Sequence, residues 1–90
     1  MKYKILGNTG IEVSRLCLGT MSFGGVSDEA ESKRMFSLCR NRGINFFDCA
    51  DVYEEGKSEK ILGKLIQSDR SELVITSKVY FPTREDINAR

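Results

Sequence analysis

Short apolar runs alternate with amphipathic stretches over most of this chain. The apolar runs are residues 16–18, 44–47 and 73–77, and the stretches between them, residues 27–43 and 58–66, carry apolar side chains at helical spacing. Strands that are apolar on both faces and alternate with helices are typical of a parallel sheet. The sequence therefore predicts an α/β fold with a parallel sheet and the order β-α-β-α-β, and the run at residues 16–18 is expected to be a strand buried on both faces.

Residues outside this alternation add a hairpin and the start of a third helix. Residues 2–6 and 11–13 are β-prone runs around the turn sequence GNTG, a pattern typical of a β-hairpin. After the single proline of the chain, residues 83–90 have the composition of a helix start. We expect one domain over residues 1–90, with the hairpin at residues 2–13 followed by about three βα units.

The first predicted helix carries signals at both ends. Asp28 is followed three residues later by Glu31, which resembles the capping box of a helix start. Gly43 stands where a helix commonly ends in a left-handed residue. These signals support a helix over residues 27–43.

Charge and composition limit the partners of the chain. With 14 basic and 13 acidic residues the net charge is +1, so we expect neither nucleic acid nor an anionic membrane as a partner. The first residues lack a signal-peptide pattern, and no apolar run is long enough to span a bilayer. We therefore expect a cytoplasmic protein.

The cysteines indicate a reducing compartment. Cys17, Cys39 and Cys49 form no CxxC pair, and the chain contains no histidine, so we expect neither a disulfide framework nor a metal site. Each cysteine lies in an apolar stretch and is expected to be a small buried residue. A redox role is the alternative.

Polar or small residues follow each predicted strand at the point where it ends. Gly19 and Thr20 follow the first strand, Asp48 the second and Lys78 the third. Ligands of α/β folds bind at the carboxyl ends of parallel strands, and neighbouring strands lie about 4.8 Å apart. Asp48 and Lys78 are therefore expected within ion-pair distance, and Tyr53, five residues after Asp48, can fold back over the same edge.

A tyrosine, a lysine and an aspartate at one edge can perform acid catalysis. A phenol, with a pKa near 10, is a poor acid at neutral pH, and a neighbouring ammonium makes it more acidic. A carboxylate behind the lysine keeps the ammonium charged, which makes the phenol a plausible general acid. The spacing alone also fits ordinary structural roles, in which the tyrosine packs against its neighbours, the lysine is a solvated strand end and the aspartate caps a helix or turn. A solvated turn and helix start explain the neighbouring acidic residues, which are Asp51, Glu54, Glu55 and Glu59.

Three segments of the chain carry a resemblance to a known family. KILGNTGIEVSRLCLGTMSFGG, GINFFDCADVYEEGKSEKILGKLI and LVITSKV resemble the N-terminal part of the aldo-keto reductases. The motifs are G-T after the first strand, D-x-A-x-x-Y after the second and T/S-K at the end of the third. The EGKSE segment is most similar to the branch that includes potassium-channel β subunits and related bacterial oxidoreductases. The resemblance implies the N-terminal part of a (β/α)8 TIM barrel that binds NADPH.

The resemblance also implies roles for individual residues. Tyr53 matches the proton donor, Lys78 the cation that makes the donor more acidic, and Asp48 the partner of that lysine, close to the cofactor. Four residues match the cofactor-binding positions, most of them in the loop beside the nicotinamide: Gly19, Thr20, Met21 and Asp48.

The function implied is NADPH-dependent reduction of aldehydes or ketones to alcohols, with a small-molecule carbonyl compound as substrate. The family has a fourth catalytic residue, a histidine, which this chain lacks, and a (β/α)8 barrel usually takes about 250 residues. We therefore expect a truncated N-terminal segment that is inactive by itself and belongs to a longer parent chain or an oligomer. The alternatives are a cofactor-binding regulatory subunit and a non-catalytic truncated product.

Overall fold

A computed structural model describes residues 1–79 and shows an α/β fold, which confirms the predicted class. A two-stranded antiparallel hairpin precedes a three-stranded parallel sheet that carries two helices. The elements in chain order are β1 Tyr3–Ile5, β2 Glu12–Ser14, β3 Leu18–Gly19, α1 Glu29–Asn41, β4 Phe46–Asp48, α2 Lys57–Leu65 and β5 Val74–Thr76. The predicted third helix, at residues 83–90, lies outside the described residues.

The hairpin is closed by two glycines and attached to the sheet by side chains. Gly7 and Gly10 have φ angles of 53° and 76°, which glycine adopts without steric cost, and the turn between them joins β1 to β2. Asn45, just before β4, accepts a hydrogen bond from Ser14 N–H at 2.7 Å and donates one to the Glu12 carbonyl at 3.0 Å. The hairpin is therefore held against the amino-terminal end of β4.

The parallel sheet has the order β3-β4-β5, which places the second and third predicted strands side by side. Phe47 is in register with Leu18 and Ile75, and these residues lie on the face that carries the helices. Successive residues of a strand point to opposite faces. Asp48 and the residues in register with it, Gly19 and Thr76, therefore lie on the opposite face, which we call the inner face.

The hydrophobic core lies between the sheet and the two helices. Phe47 is fully buried, and its ring centroid is 5.0 Å from that of Phe36 on α1. Leu62 of α2 is also buried in this cluster. Of the predicted capping box of α1, the Asp28 half is present, because its carboxylate accepts a hydrogen bond from Glu31 N–H, whereas the Glu31 carboxylate pairs with Arg34. Gly43 follows the helix with a φ of 87°, as predicted.

Burial on both faces was predicted for the first strand, and this is wrong within the described residues. Leu16 and Cys17 are exposed, and the strand itself covers only Leu18–Gly19. The reason is that β3 lies at an edge of the sheet and that the helices cover only one face. Of the cysteines, Cys49 is buried as predicted and Cys39 is half-buried. Among residues 1–79, no helix has both the length and the apolar character needed to cross a membrane.

Candidate active site

Asp48 and Lys78 form an ion pair at the carboxyl ends of β4 and β5. Lys78 Nζ lies 2.8 Å from each carboxylate oxygen of Asp48 and 2.8 Å from the carbonyl oxygen of Cys49. The three ammonium hydrogens can thus all be donated to acceptors on two consecutive residues. The predicted proximity of the two strand ends is confirmed, and the lysine is held in one orientation.

Hydrogen bonds determine the charge state of this pair. The bonds from Lys78, followed by a bond from the Thr76 hydroxyl, lower the pKa of the Asp48 carboxyl below its usual value. The same bonds to Asp48 raise the pKa of the Lys78 ammonium. Both groups are therefore charged over the whole physiological range. Their side chains remain 39% and 51% exposed, so solvent screens the attraction and the pair adds little to stability.

Tyr53 lies beside the ammonium of this pair. Lys78 Nζ is 5.2 Å from the centroid of the Tyr53 ring, within the distance of a cation–π interaction. The loop after β4 is bound to the segment that follows β5, because Asp51 N–H donates to the Lys78 carbonyl at 3.1 Å. The structure therefore brings together Asp48, Tyr53 and Lys78, as the spacing of the strand ends predicts.

The backbone directly after Tyr53 is in an unusual conformation. Glu54 and Glu55 have φ angles of 50° and 58°, and Gly56 has a φ of 92°. Residues other than glycine rarely adopt this left-handed backbone conformation, and each one that does so lowers the stability of the fold by roughly 1–3 kcal/mol. The sequence predicts only a solvated turn at Glu54 and Glu55, and the composition of the segment gives no signal of this strain.

Two glycines of the loop between β3 and α1 allow it to approach the segment after Tyr53. A Cβ atom at Gly25 would collide with the carboxylate of Glu54, and one at Gly24 would lie 2.6 Å from Lys57 Cβ. The consecutive glycines at these positions therefore permit a close contact between the two loops of the site.

The predicted cofactor-binding residues differ in accessibility. Gly19 is exposed, and a Cβ built on it meets nothing within 4 Å, while the side chain of Met21 is 64% exposed. Thr20 between them is fully buried, and its hydroxyl donates to the Asp48 carbonyl at 3.0 Å. The structure thus leaves Gly19 and Met21 accessible at the edge beside Asp48, whereas the Thr20 side chain is engaged inside the protein.

Sequence reasoning missed two residues that support the site. Thr76 donates to Asp48 Oδ1, and alternation along the strand could have identified it, because it lies two residues before Lys78. Ser58, in the first turn of α2, is fully buried and donates to the Thr20 carbonyl. The position of Ser58 at a helix start suggested only a local role, so its long-range partner could not be identified.

The sequence of the chain matches one protein-family model and is similar to several known proteins. The sequence model described as "Aldo/keto reductase family" matches residues 15–89. A probable voltage-gated potassium channel subunit beta of Arabidopsis thaliana is 41% identical in an alignment 85 residues long that covers 90% of this chain and 26% of that protein. An uncharacterized oxidoreductase of Bacillus subtilis is 44% identical in an alignment 89 residues long that covers 91% of this chain and 27% of that protein.

The solved structures agree with the sequence comparison. An aldo-keto reductase from Bacillus halodurans in its holo form superposes with a TM-score of 0.86 at 31% identity, over 99% of this chain and 29% of that one. The chain thus spans roughly a quarter of the length of the curated relatives it matches. The resemblance found in the sequence is confirmed, including its branch. Because the family match extends over most of its residues, the chain belongs to the aldo/keto reductase family.

Proposed function

We propose that this chain forms part of an oxidoreductase that reduces aldehydes or ketones to alcohols with NADPH, with Tyr53 as the proton donor. The observation that carries the proposal is the position of the Lys78 ammonium, which both oxygens of Asp48 hold 5.2 Å from the centroid of the Tyr53 ring. A cation held beside a phenol is what general acid catalysis by tyrosine needs. The family and the relatives named as oxidoreductases support the same reaction class.

Each residue of the group has a distinct task in this proposal. The Tyr53 hydroxyl protonates the oxygen of the substrate carbonyl, and a negative charge develops on the phenol oxygen as the proton leaves. The Lys78 ammonium stabilises that charge through space. Asp48 keeps the ammonium protonated, because the hydrogen bonds between them raise the pKa of Lys78. Thr76 and the Cys49 carbonyl hold the two charged groups in place.

The surroundings of Asp48 fit a nicotinamide cofactor. The open space over Gly19 lies in register with Asp48 on the inner face, and the neighbouring Met21 side chain is accessible. The flat nicotinamide ring can pack on such a surface, because Gly19 has no side chain to obstruct it and Met21 offers an apolar side chain beside it. NADPH, when bound, supplies a hydride to the carbonyl carbon. In the proposal Gly19 and Met21 contact the cofactor directly and Asp48 lies close to it, while the buried Thr20 holds the backbone of Asp48 in place through its hydrogen bonds to the Asp48 carbonyl.

The same proposal assigns β3, β4 and β5 to the first three strands of a (β/α)8 TIM barrel. Three observations support it: the strands are parallel, they are neighbours in chain order, and they are connected by helices on one face. The inner face with Asp48 would then line the barrel, and residues 1–90 would form part of one domain that begins with the hairpin. The superposition on an aldo-keto reductase is consistent with this arrangement.

Exchange of one tyrosine tests the proposed reaction. In the natural polypeptide that contains this chain, Tyr53→Phe should lower the turnover of an aromatic aldehyde by roughly 10²–10⁴-fold and leave NADPH affinity nearly unchanged. Tyr3→Phe is the matched control, because the Tyr3 hydroxyl donates to the Gly43 carbonyl, outside the proposed site. Undiminished turnover in Tyr53→Phe, measured from NADPH absorbance, would exclude the assigned role.

A cofactor-binding regulatory subunit is the second candidate. It is favoured by the relatives from Arabidopsis thaliana and Oryza sativa that are named as probable potassium channel β subunits, at 41% and 39% identity. A subunit of this kind would bind NADPH and form a complex with another protein while reducing aldehydes slowly or not at all. Turnover measured together with NADPH binding separates the candidates: a reductase shows both, and a regulatory subunit shows binding alone.

A further inference from the structure

We infer that Ser58 is a positioning residue of the site. Acting with Thr20, it fixes the peptide unit between Asp48 and Cys49, the two residues that supply the acceptors of Lys78. This inference deepens the proposed function and rests on it only where turnover is concerned. Ser58 lies in the first turn of α2, and neither its side chain nor that of Thr20 has any exposed surface.

A continuous set of buried hydrogen bonds connects α2 to β3. The Ser58 hydroxyl lies 2.5 Å from the carbonyl oxygen of Thr20 and 3.1 Å from its Oγ1, and it shares its hydrogen between them. The thiol of Cys49 lies 3.5 Å from Ser58 Oγ and can donate to it. Both groups of Thr20 that Ser58 contacts are thereby fixed in space.

Thr20 connects these hydrogen bonds to β4. The N–H and the hydroxyl of Thr20 both donate to the carbonyl oxygen of Asp48, each at 3.0 Å. On the other side of the same peptide unit, Cys49 N–H donates to the Thr76 carbonyl at 2.7 Å. The peptide unit is therefore held from β3 on one side and from β5 on the other.

The two residues joined by this peptide unit are the ones that hold Lys78. The carboxylate of Asp48 and the carbonyl oxygen of Cys49 lie on either side of it, and each is 2.8 Å from Lys78 Nζ. A rotation or displacement of the peptide unit would lengthen these bonds, because hydrogen bonds weaken steeply with distance and angle. The hydroxyl of Ser58 thus acts on the charged pair although it contacts neither charged group.

The alternative is that Ser58 only stabilises the fold, because any buried serine that loses its partner costs stability. A readout that follows the charged pair separates the two roles. The hydrogen bonds from Lys78 lower the pKa of Asp48, so a loosened pair must raise that pKa toward its usual value. The 13Cγ chemical shift of Asp48, followed over acidic pH, reports this midpoint directly and needs no turnover.

The experiment compares Ser58→Ala with Ser32→Ala in the natural polypeptide that contains this chain. Ser32 is an equally buried serine near the start of the other helix, α1, but its hydroxyl donates to the Ser27 carbonyl at 3.3 Å. We expect Ser58→Ala to raise the proton affinity of Asp48 about twofold or more, and Ser32→Ala to leave it unchanged. Signals are assigned with Asp48→Asn. Equal midpoints in both variants and the wild type would overturn the inference, and so would equal shifts in both variants.

Two exchanges at Thr20 keep the test decisive if Ser58→Ala does not fold. Thr20→Val removes the hydroxyl at nearly constant volume, whereas Thr20→Ser keeps it. The inference predicts a raised Asp48 midpoint in Thr20→Val and a wild-type midpoint in Thr20→Ser, and the reverse pattern or no difference contradicts it. In an active enzyme Ser58→Ala should also lower kcat more than it changes KM. Absence of turnover in the wild type would refute the proposed reaction but leave the titration result standing.

Discussion

Exchange of Phe47 for alanine should remove a large part of the stability of this fold. Phe47 has no exposed surface and lies in β4 directly before Asp48, with its ring centroid 5.0 Å from that of Phe36. Complete burial of a phenylalanine removes roughly 150–200 Å² of surface from water. At about 25 cal/mol per Å² this is worth roughly 4–5 kcal/mol. Alanine keeps the Cβ atom, so we expect a loss of about 3–5 kcal/mol, the usual range for this exchange.

Equilibrium denaturation in urea measures this loss as a change in the free energy of unfolding. Val26→Ala is the control, because Val26 is 96% exposed and its truncation should change stability by less than about 0.5 kcal/mol. A double-mutant cycle with Phe36→Ala isolates the contact between the rings, which we expect to contribute about 0.5–1.5 kcal/mol. A loss below about 1 kcal/mol in Phe47→Ala would refute the assignment of Phe47 to the centre of the core.

Three further predictions concern the charged pair, the strained loop and the isolated chain. Because hydrogen bonds from Lys78 and Thr76 lower the pKa of folded Asp48, the stability that Asp48 contributes should be present above the ordinary carboxyl pKa of about 3.9 and be lost as pH falls through the lower folded pKa. The advantage of the wild type over Asp48→Asn in urea should therefore shrink at acidic pH, and a constant advantage would contradict the pairing. Glu55→Gly should raise stability by about 0.5–1 kcal/mol, because glycine adopts the φ of 58° without strain, whereas Glu55→Ala, which keeps the strain, should not. Thermal melting decides this, with equal melting temperatures counting against the strain. The chain Met1–Arg90, expressed by itself, should reduce no aldehyde, because it contains no histidine to complete the catalytic group that the family resemblance implies. Measurable NADPH consumption by that chain would contradict this prediction.

The class of the fold and the ends of its elements could be predicted because their causes are local. Apolar periodicity depends on residues a few positions apart, and the capping of α1 joins Asp28 to the N–H of Glu31. Gly43 ends the helix for an equally local reason, since its φ of 87° suits glycine. Strand ends follow from the same patterns, and parallel strands end at one edge. The meeting of Asp48 and Lys78 was therefore accessible from the sequence.

Only the tertiary structure decided what each side chain faces. Thr20 belongs to a motif that the resemblance places beside the cofactor, yet its hydroxyl bonds to Asp48, 28 positions away in the chain. Cys17 lies in an apolar run but is exposed, because β3 is an edge strand and the helices cover one face. Glu54 and Glu55, in the loop beside Tyr53, have a left-handed backbone, although residues with a side chain prefer negative φ angles. Register, edge position and loop closure depend on contacts between distant parts of the chain. Periodicity and capping depend on residues that are neighbours in the sequence. The sequence alone therefore determined periodicity and capping, and only the tertiary structure decided register, edge position and loop closure.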